Sequence, residues 1–175
     1  MSVFPLKKFL RSQKHHAYSW GLGINHSKID KFIGPLSNRI KHLCDKHGEP
    51  VSLVGWSLGG IFARELARDQ PSHISSILTM GSPVIVGPRI TALKKFSGLF
   101  GWDIEQIELD MIKRFETPIE HPITAIYSKL DGIVSWQACI DHWSPDVRHH
   151  EVSASHMGMG FSRDVYQIIS NSLAK

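Results

Sequence analysis

Cysteine is scarce in this sequence, and long apolar runs are missing from it. The 175 residues include two cysteines, Cys44 and Cys139, which are too few for a disulfide framework. The sequence is still compatible with a single disulfide between them. No run of about 18 apolar residues is present, so no membrane-spanning helix is expected. The first residues lack the apolar segment of a secretory signal. We therefore predict a cytoplasmic protein with one domain over residues 1–175.

Acidic residues are few in the first 70 residues, which hold eleven lysines and arginines against five acids. The positive residues recur at helical spacing and are not interleaved with the aromatic side chains that stack on bases. The histidine pairs at 15–16 and 149–150 are adjacent residues, which point to opposite faces of a strand. We therefore expect these lysines and arginines to lie on solvent-exposed helix faces. We predict no nucleic-acid partner, no metal and no cofactor.

Helical patterns occupy much of the first 50 residues. A short helix is expected near Pro5, and apolar residues at steps of three and four from Ile29 to Cys44 indicate the buried face of a longer one. Pro35 fits the first turn of this main helix, and Gly48 fits its end.

Five stretches have the composition of strands. They are residues 15–22, 50–56, 74–80, 122–127 and 147–152. A helical pattern follows the second of these, and another closes the sequence at 165–173. Such alternation favours βαβ units. We therefore predict an α/β fold in which a mostly parallel sheet of about five strands lies between two helical layers.

The sequence Gly55-Trp56-Ser57-Leu58-Gly59 stands between an apolar strand and an amphipathic helical stretch. A Gly-x-Ser-x-Gly motif in this setting is typical of a nucleophile elbow, in which the serine hydroxyl is exposed at the top of a parallel sheet. Outside such a setting, the motif would be a chance occurrence of glycines around a serine. We predict that Ser57 is the nucleophile of a hydrolase.

A serine hydroxyl needs a base that takes its proton and an acid that orients the base. In the chain order typical of this elbow, the acid comes after the serine and the histidine comes last. Asp131 follows one predicted strand, and His156 follows the last one. Asp141 and Asp146 are rival acids, but neither directly follows an apolar strand, and a simple Asp-Gly turn is the alternative for Asp131. We predict Asp131 and His156 as the catalytic partners of the serine.

The negative charge that develops on an attacked carbonyl oxygen needs backbone N–H donors. One donor is the residue after the nucleophile, here Leu58, at the start of a helix whose dipole also favours negative charge. The loop that would supply the second donor is not recognisable in the sequence. Trp56 and Trp102 are the aromatic residues that we predict to contact an apolar acyl group.

Five segments carry a more specific pattern than the elbow alone. They are residues 54–60 (Val-Gly-Trp-Ser-Leu-Gly-Gly), 63–67 (Ala-Arg-Glu-Leu-Ala), 81–83 (Gly-Ser-Pro), 127–134 (Tyr-Ser-Lys-Leu-Asp-Gly-Ile-Val) and 155–158 (Ser-His-Met-Gly). Together they resemble bacterial α/β-hydrolases of the lipase and carboxylesterase type, over most of the chain from Trp20 onward. The resemblance implies the triad Ser57, Asp131 and His156. It also implies a helical cap at 87–118, for which an ordinary packed helical insertion is the alternative.

The resemblance implies more strands than the sequence holds. In such folds the elbow follows the fifth strand, and residues 15–22 match the fourth. The first three strands are then absent, and the third of them carries the second oxyanion loop and lies beside the elbow strand. Either the chain extends upstream, or the strand at 15–22 moves to pair with the strand at 50–56, or a partner such as a second copy supplies an edge. We expect the second outcome, a smaller sheet.

These residues together predict a serine hydrolase that cleaves carboxylic esters, among them lipid esters, through an acyl-serine intermediate. Loss of one oxyanion donor lowers rates by about 10²–10³-fold in other enzymes, so weak activity is expected. The alternative is a catalytically silent hydrolase-like module that binds a lipid or a protein, because an open sheet edge is a template for association.

Overall fold

Four parallel strands lie at the centre of the part of the chain that the computed structural model describes, residues 3–23, 29–84, 114 and 117–174. Side chains are described for these residues except 29–31. The helices are α1 (Phe4–Ser12), α2 (Ile29–His47), α3 (Leu58–Asp69) and α4 (Arg163–Leu173). The strands are β1 (Val51–Trp56), β2 (Ile74–Met80), β3 (Ile123–Tyr127) and β4 (Val147–Glu151). Their order in the sheet is β1-β2-β3-β4.

The carboxyl ends of all four strands meet at one edge of the sheet, because each neighbouring pair is parallel. In the strand register Trp56 lies opposite Met80, Met80 opposite Ile126, and Ile126 opposite His150. The segments that follow these strands therefore emerge side by side, where an open α/β sheet normally holds its ligand. We call this edge the carboxyl rim.

Two apolar cores cover the two faces of the sheet, because successive side chains of a strand point to opposite faces. The first core packs α1 and α4 on one face and includes Leu6, Leu10, Trp56, Leu78, Met80, Ile126, Val152, Met159, Val165, Tyr166 and Ile169. The second core packs α2 and α3 on the other face and includes Leu36, Ile40, Phe62, Ala63, Leu66, Ala67, Ile74, Ile77, Ile119 and Ile123. The predicted three-layer α/β/α arrangement is confirmed.

The prediction of a fifth strand at 15–22 is wrong, since this segment forms no strand in the described structure. The segment runs from the first core, which Ala17 contacts, to the second. Side chains of the helices take carbonyls that a strand ladder would use: Arg11 Nε donates to Ala17 O at 2.9 Å, and Arg39 Nε donates to Ser19 O at 3.1 Å. Within the described residues β1 is therefore an outer strand of the sheet.

The long helix α2 begins earlier than predicted. It starts at Ile29 and contains Pro35 in its interior, whereas the sequence places that proline in the first turn. The turn before the proline is held by packing, because the Phe32 ring lies 5.1 Å from the Trp20 ring and 6.2 Å from the Phe62 ring. Although α2 has 19 residues, neither it nor any other helix in the described ranges is long and apolar enough to cross a membrane.

The predicted helical cap at 87–118, with Trp102, lies outside the described residues except for three positions near its end. One of these, Arg114, forms ion pairs with Glu65 and Asp69 of α3, and its Nη2 lies 2.6 Å from Asp69 Oδ1. These ion pairs hold Arg114 beside α3. The helical cap itself stays a prediction.

The two cysteines do not form the disulfide that the sequence left open, since both thiols are free. Cys139 is buried, and its burial together with the nearby charge of Asp131 raises the pKa of its thiol to about 12. The thiol is therefore protonated and unreactive at neutral pH.

The turn from β1 into α3 is tight and strained. Ser57 has φ 55° and ψ −123°, a region that costs a residue with a side chain about 1–3 kcal/mol. The backbones approach so closely that a Cβ at Gly55 would lie 2.3 Å from the carbonyl oxygen of Gly59. A Cβ at Gly60 would lie 2.2 Å from Ser82 Oγ, whereas a Cβ at Gly59 would meet no atom within 4 Å. The steric demand of the turn therefore falls on Gly55 and Gly60.

We expect Gly60→Ala to lower the free energy of unfolding by about 1–3 kcal/mol, because Ser82 is buried and its own Cβ would lie 2.5 Å from the new methyl group. Gly59→Ala is the matched control, since it adds the same methyl group one residue earlier in open space. It should leave stability unchanged or raise it by up to about 1 kcal/mol. Urea unfolding of both variants measures the difference, and equal midpoints would contradict this steric account.

A buried ion pair ties α3 to the loop between β3 and β4. Arg64 Nη1 donates to Asp141 Oδ2 at 2.7 Å, and both side chains are at most 2% exposed. Burial alone raises the pKa of Asp141, but the bond and charge of Arg64 and the N–H groups of Trp143 and Ser144 lower it to about 2. The carboxylate is therefore charged and fully engaged at neutral pH.

We expect Asp141→Ala to destabilise the fold by about 3–5 kcal/mol, because it leaves the Arg64 guanidinium buried without its counter-charge. The double variant with Arg64→Met should recover part of this loss, since it removes the unpaired charge. Asp146→Ala, which removes an exposed carboxylate of the same loop, is the control and should change stability by less than about 0.5 kcal/mol. Denaturant unfolding at pH 7 measures all three.

The same pair predicts a pH dependence. Because the folded-state pKa of Asp141 lies below its ordinary value of 3.8, its contribution to stability is present above about pH 4 and is lost as the pH falls toward 2. Asp141→Ala should flatten the stability profile in this window. A profile that falls as steeply in the variant as in the wild type would contradict the assignment.

Candidate active site

Ser57 lies at the carboxyl rim, in the strained turn that β1 and α3 share. Its N–H donates to Met80 O at 2.9 Å, and its carbonyl accepts from Gly60 N at 3.0 Å, so the backbone on both sides of the serine is fixed. Leu58 is the first residue of α3, and the N–H of a first helical residue has no acceptor within its helix. The turn therefore presents a hydroxyl beside the positive end of a helix dipole.

Asp131 lies in the loop after β3 and is held by its own backbone surroundings. Its Oδ1 accepts hydrogen bonds from Ile133 N and Val134 N, both at 2.8 Å. Its Oδ2 lies 2.7 Å from His156 Nδ1. The Asp-Gly turn that the sequence offered as the alternative is present as this Asx-type turn, and it orients the carboxylate toward the histidine.

His156 lies in the loop after β4, and its side chain is 2% exposed. A carboxylate can only accept, so Nδ1 donates to Asp131, which leaves Nε2 of a neutral ring as an acceptor. This Nε2 is buried and has no hydrogen-bond partner within the described residues. A buried imidazole nitrogen without a partner is costly in a purely structural histidine and is what a general base requires.

Gly81 joins the serine side of the rim to the acid–base pair. It follows Met80, which holds Ser57, and its N–H donates to Ile126 O at 2.9 Å. Its φ is +51°, and a Cβ there would lie 2.9 Å from Asp131 Oδ2 and 3.1 Å from His156 Nδ1. Glycine therefore allows the pair to sit directly on the end of β2, one strand away from the elbow.

The structure brings Asp131 and His156 together, but it does not form the remaining link of the predicted triad. No hydrogen bond joins Ser57 Oγ to His156 Nε2, since this nitrogen has no partner. Such bonds are often long before substrate binds. The rival acid Asp141 is engaged by Arg64, and Asp146 is exposed on the loop before β4.

Trp56 lies beneath the histidine loop and is 7% exposed. Its ring centroid is 6.1 Å from that of His156, and its six-membered ring is so close to Gly160 that a Cβ there would lie 2.5 Å away. The indole therefore supports the histidine loop from the first core. Its predicted contact with substrate stays a prediction, as does that of Trp102, which lies outside the described residues.

Two residues of the rim were not singled out by the sequence patterns as site residues. Gly81 was part of the Gly-Ser-Pro segment, but its position against the pair depends on the strand order. Ser128 was part of the Tyr-Ser-x-x-Asp segment, and its buried hydroxyl contacts backbone groups of both loops. A polar residue at the end of an apolar strand, three residues before the candidate acid, was the available signal for Ser128.

Solved structures of α/β hydrolases resemble this chain. One is a structure named for LipS and LipT, two metagenome-derived lipolytic enzymes. It has a TM-score of 0.66 and 14% identity, over 97% of this chain and 84% of that one. The Pyrococcus furiosus esterase Pf2001 has a TM-score of 0.62 and 18% identity, over 86% of this chain and 64% of that one. The putative non-heme bromoperoxidase BpoC of Mycobacterium tuberculosis has a TM-score of 0.61 and 16% identity, over 86% of this chain and 73% of that one.

No protein-family model and no curated protein matches the sequence. Identities of 14–18% carry the comparison at the level of the fold and no further. The parallel sheet and its helical layers agree with these neighbours. The chain therefore has an α/β-hydrolase-like fold.

Proposed function

We propose that this chain is a serine hydrolase that cleaves carboxylic esters through an acyl-serine intermediate. The observation that carries the proposal is the buried hydrogen bond of 2.7 Å between Asp131 and His156, which leaves His156 Nε2 unpaired on the rim that also holds Ser57. An oriented imidazole at the same rim as a hydroxyl on a strained turn is the arrangement that nucleophilic acyl transfer starts from.

The proposed reaction moves one proton back and forth. Ser57 Oγ attacks the ester carbonyl while its proton passes to His156 Nε2, and Asp131 stabilises the imidazolium that forms. The N–H of Leu58 donates to the oxyanion of the tetrahedral intermediate. Collapse of the intermediate breaks the ester C–O bond, and the departing alcohol takes the proton from Nε2. Water then attacks the acyl-serine while His156 Nε2 takes a proton from it. The C–O bond to Ser57 breaks, Ser57 Oγ takes the proton back from Nε2, and the carboxylic acid leaves.

An apolar acyl group suits the residues that flank the pair. Leu130 precedes Asp131 and is 65% exposed, and Met157 follows His156 and is 49% exposed. Exposed apolar side chains beside reacting groups can bury an alkyl chain of the substrate. The printed names of the structural neighbours include lipolytic enzymes and an esterase, which supports ester substrates.

A catalytically silent module that binds a lipid or a protein is the second candidate. Two observations favour it: the missing Ser57–His156 hydrogen bond and the outer position of β1 in the described sheet. A second copy pairing with this edge would be one form of such binding. The two candidates differ in whether the serine can be acylated.

We expect a fluorophosphonate probe to label the wild-type protein and to leave Ser57→Ala unlabelled, because the probe reacts with an activated serine. Intact-mass spectrometry should show one adduct, and peptide mapping should place it on Ser57. Ser153→Ala, which removes an exposed hydroxyl three residues before the histidine, is the control and should still be labelled. Absence of labelling in a protein with a cooperative unfolding transition would favour the silent module.

We expect Asp131→Asn to reduce kcat far more than KM for hydrolysis of a p-nitrophenyl ester. The amide cannot hold Nδ1 as a donor in the same way, and a comparable change lowers kcat by about 10⁴-fold in a Ser-His-Asp protease. Asp146→Asn makes the same chemical change on an exposed carboxylate and should leave kcat within about twofold, as surface changes usually do. Equal activity of the two variants would remove Asp131 from the mechanism.

A further inference from the structure

The hydroxyl of Ser128 joins the two loops that carry the acid and the base. Ser128 is the residue after β3 and is 1% exposed. Its Oγ accepts a hydrogen bond from Leu130 N at 3.0 Å and another from Ala154 N at 3.3 Å. Leu130 immediately precedes Asp131, and Ala154 lies two residues before His156. One oxygen therefore contacts the backbone of both loops close to their reacting side chains.

We propose that Ser128 is a positioning residue that sets the distance between Asp131 and His156. This inference rests on the proposed function, since it assigns a role within that same site. Ser128 does not touch either reacting side chain in the described contacts; it acts through the backbone on which they stand. Its carbonyl also accepts from Asp131 N at 3.2 Å, so the start of the acid loop is held by both oxygens of this residue.

The backbone ladder alone does not reach the histidine. The last sheet-like hydrogen bond between the two strands runs from Val152 N to Tyr127 O at 2.9 Å. Beyond it the chains leave the sheet, and Ser128 Oγ is the next described atom that links them before the 2.7 Å bond of Asp131 to His156. Without the hydroxyl, the described links between these segments beyond the ladder would be the hydrogen bond of Asp131 to His156 and the exposed ion pair of Lys129 with Glu151, which ends on β4 and does not reach the histidine loop.

The chemistry of the position requires a small side chain with a strong acceptor. An apolar side chain would leave the N–H groups of Leu130 and Ala154 without this part-buried acceptor, and each lost hydrogen bond of this kind costs about 0.5–1.5 kcal/mol. The loops would relax toward water to satisfy them. A displacement of about 1 Å in a catalytic group can cost 10²-fold in rate, so a small relaxation is enough to matter.

The test compares Ser128→Ala, Ser128→Cys and Ser128→Thr with wild type. Cysteine is somewhat larger than serine and a weaker acceptor, whereas alanine is smaller and has no acceptor, so a similar loss in both variants separates the hydrogen bonds from packing. We expect the alanine and cysteine variants to lose about 10- to 100-fold in kcat with KM nearly unchanged. Threonine keeps the acceptor and should retain more activity than cysteine.

A control matched in stability distinguishes positioning from loss of folded protein. Ser162, six residues after His156, caps α4 by accepting from Val165 N. Ser162→Ala should cost about 1 kcal/mol while leaving the hydrogen bonds of Ser128, Asp131 and His156 in place. Its kcat should stay close to that of wild type. If Ser162→Ala loses as much kcat as the Ser128 variants at equal stability, the positioning role is overturned.

A second readout does not depend on turnover. A His Nδ1 proton that is hydrogen-bonded to a carboxylate resonates far downfield in proton NMR, and we expect this His156 signal to broaden or move upfield in Ser128→Ala and Ser128→Cys but not in Ser162→Ala. An unchanged signal in both Ser128 variants would overturn the inference. If wild type neither turns over esters nor reacts with fluorophosphonate, the proposed function fails, while this signal still decides whether Ser128 positions the pair.

Discussion

The hydrogen bond between Asp131 and His156 is the interaction on which the rest of the site depends. Both side chains are at most 2% exposed, so the bond must repay the desolvation of a charged carboxylate. Two backbone N–H groups of the following turn add to this compensation, because they donate to the other oxygen of the carboxylate. The parallel sheet makes this possible, since it delivers the ends of β3 and β4 to the same rim.

Glycines at points of close contact let the turn at Ser57 and the Asp131–His156 pair lie at the ends of neighbouring strands, because a side chain at these positions would collide with its surroundings. Gly60 allows α3 to pack on Ser82, and Gly81 allows the pair to lie on the end of β2. The buried pair of Arg64 and Asp141 then ties the elbow helix to the loop between β3 and β4. Strain at Ser57 is thus held by contacts on both sides of the turn, as expected for a residue kept in an unfavourable conformation.

Much of the fold could be predicted from local patterns. The strand at 74–80 has the bounds that its apolar run indicates, and the strands that begin at Val51, Ile123 and Val147 differ from the predicted ones by a residue at one end. The patterns of β2 and β3 succeed because buried strands are apolar along their length, whereas β4, with the sequence Val-Arg-His-His-Glu, is largely exposed. The segment at 15–22 has similar composition but forms no strand, because a strand also needs a partner ladder and here side chains of α1 and α2 take the carbonyls.

The sequence by itself determined the tight strand-turn-helix at Ser57 and the helical layers on both faces of a parallel sheet, because each is encoded in residue type and spacing. Only the tertiary structure decided between Asp131, which the sequence favoured, and its rival Asp141, since both lie in the same loop: it places Asp131 2.7 Å from His156 and buries Asp141 against Arg64. It also decided the positions of Gly81 and Ser128. Their roles depend on contacts between segments that are far apart in sequence, and a local sequence pattern does not show which distant segments meet.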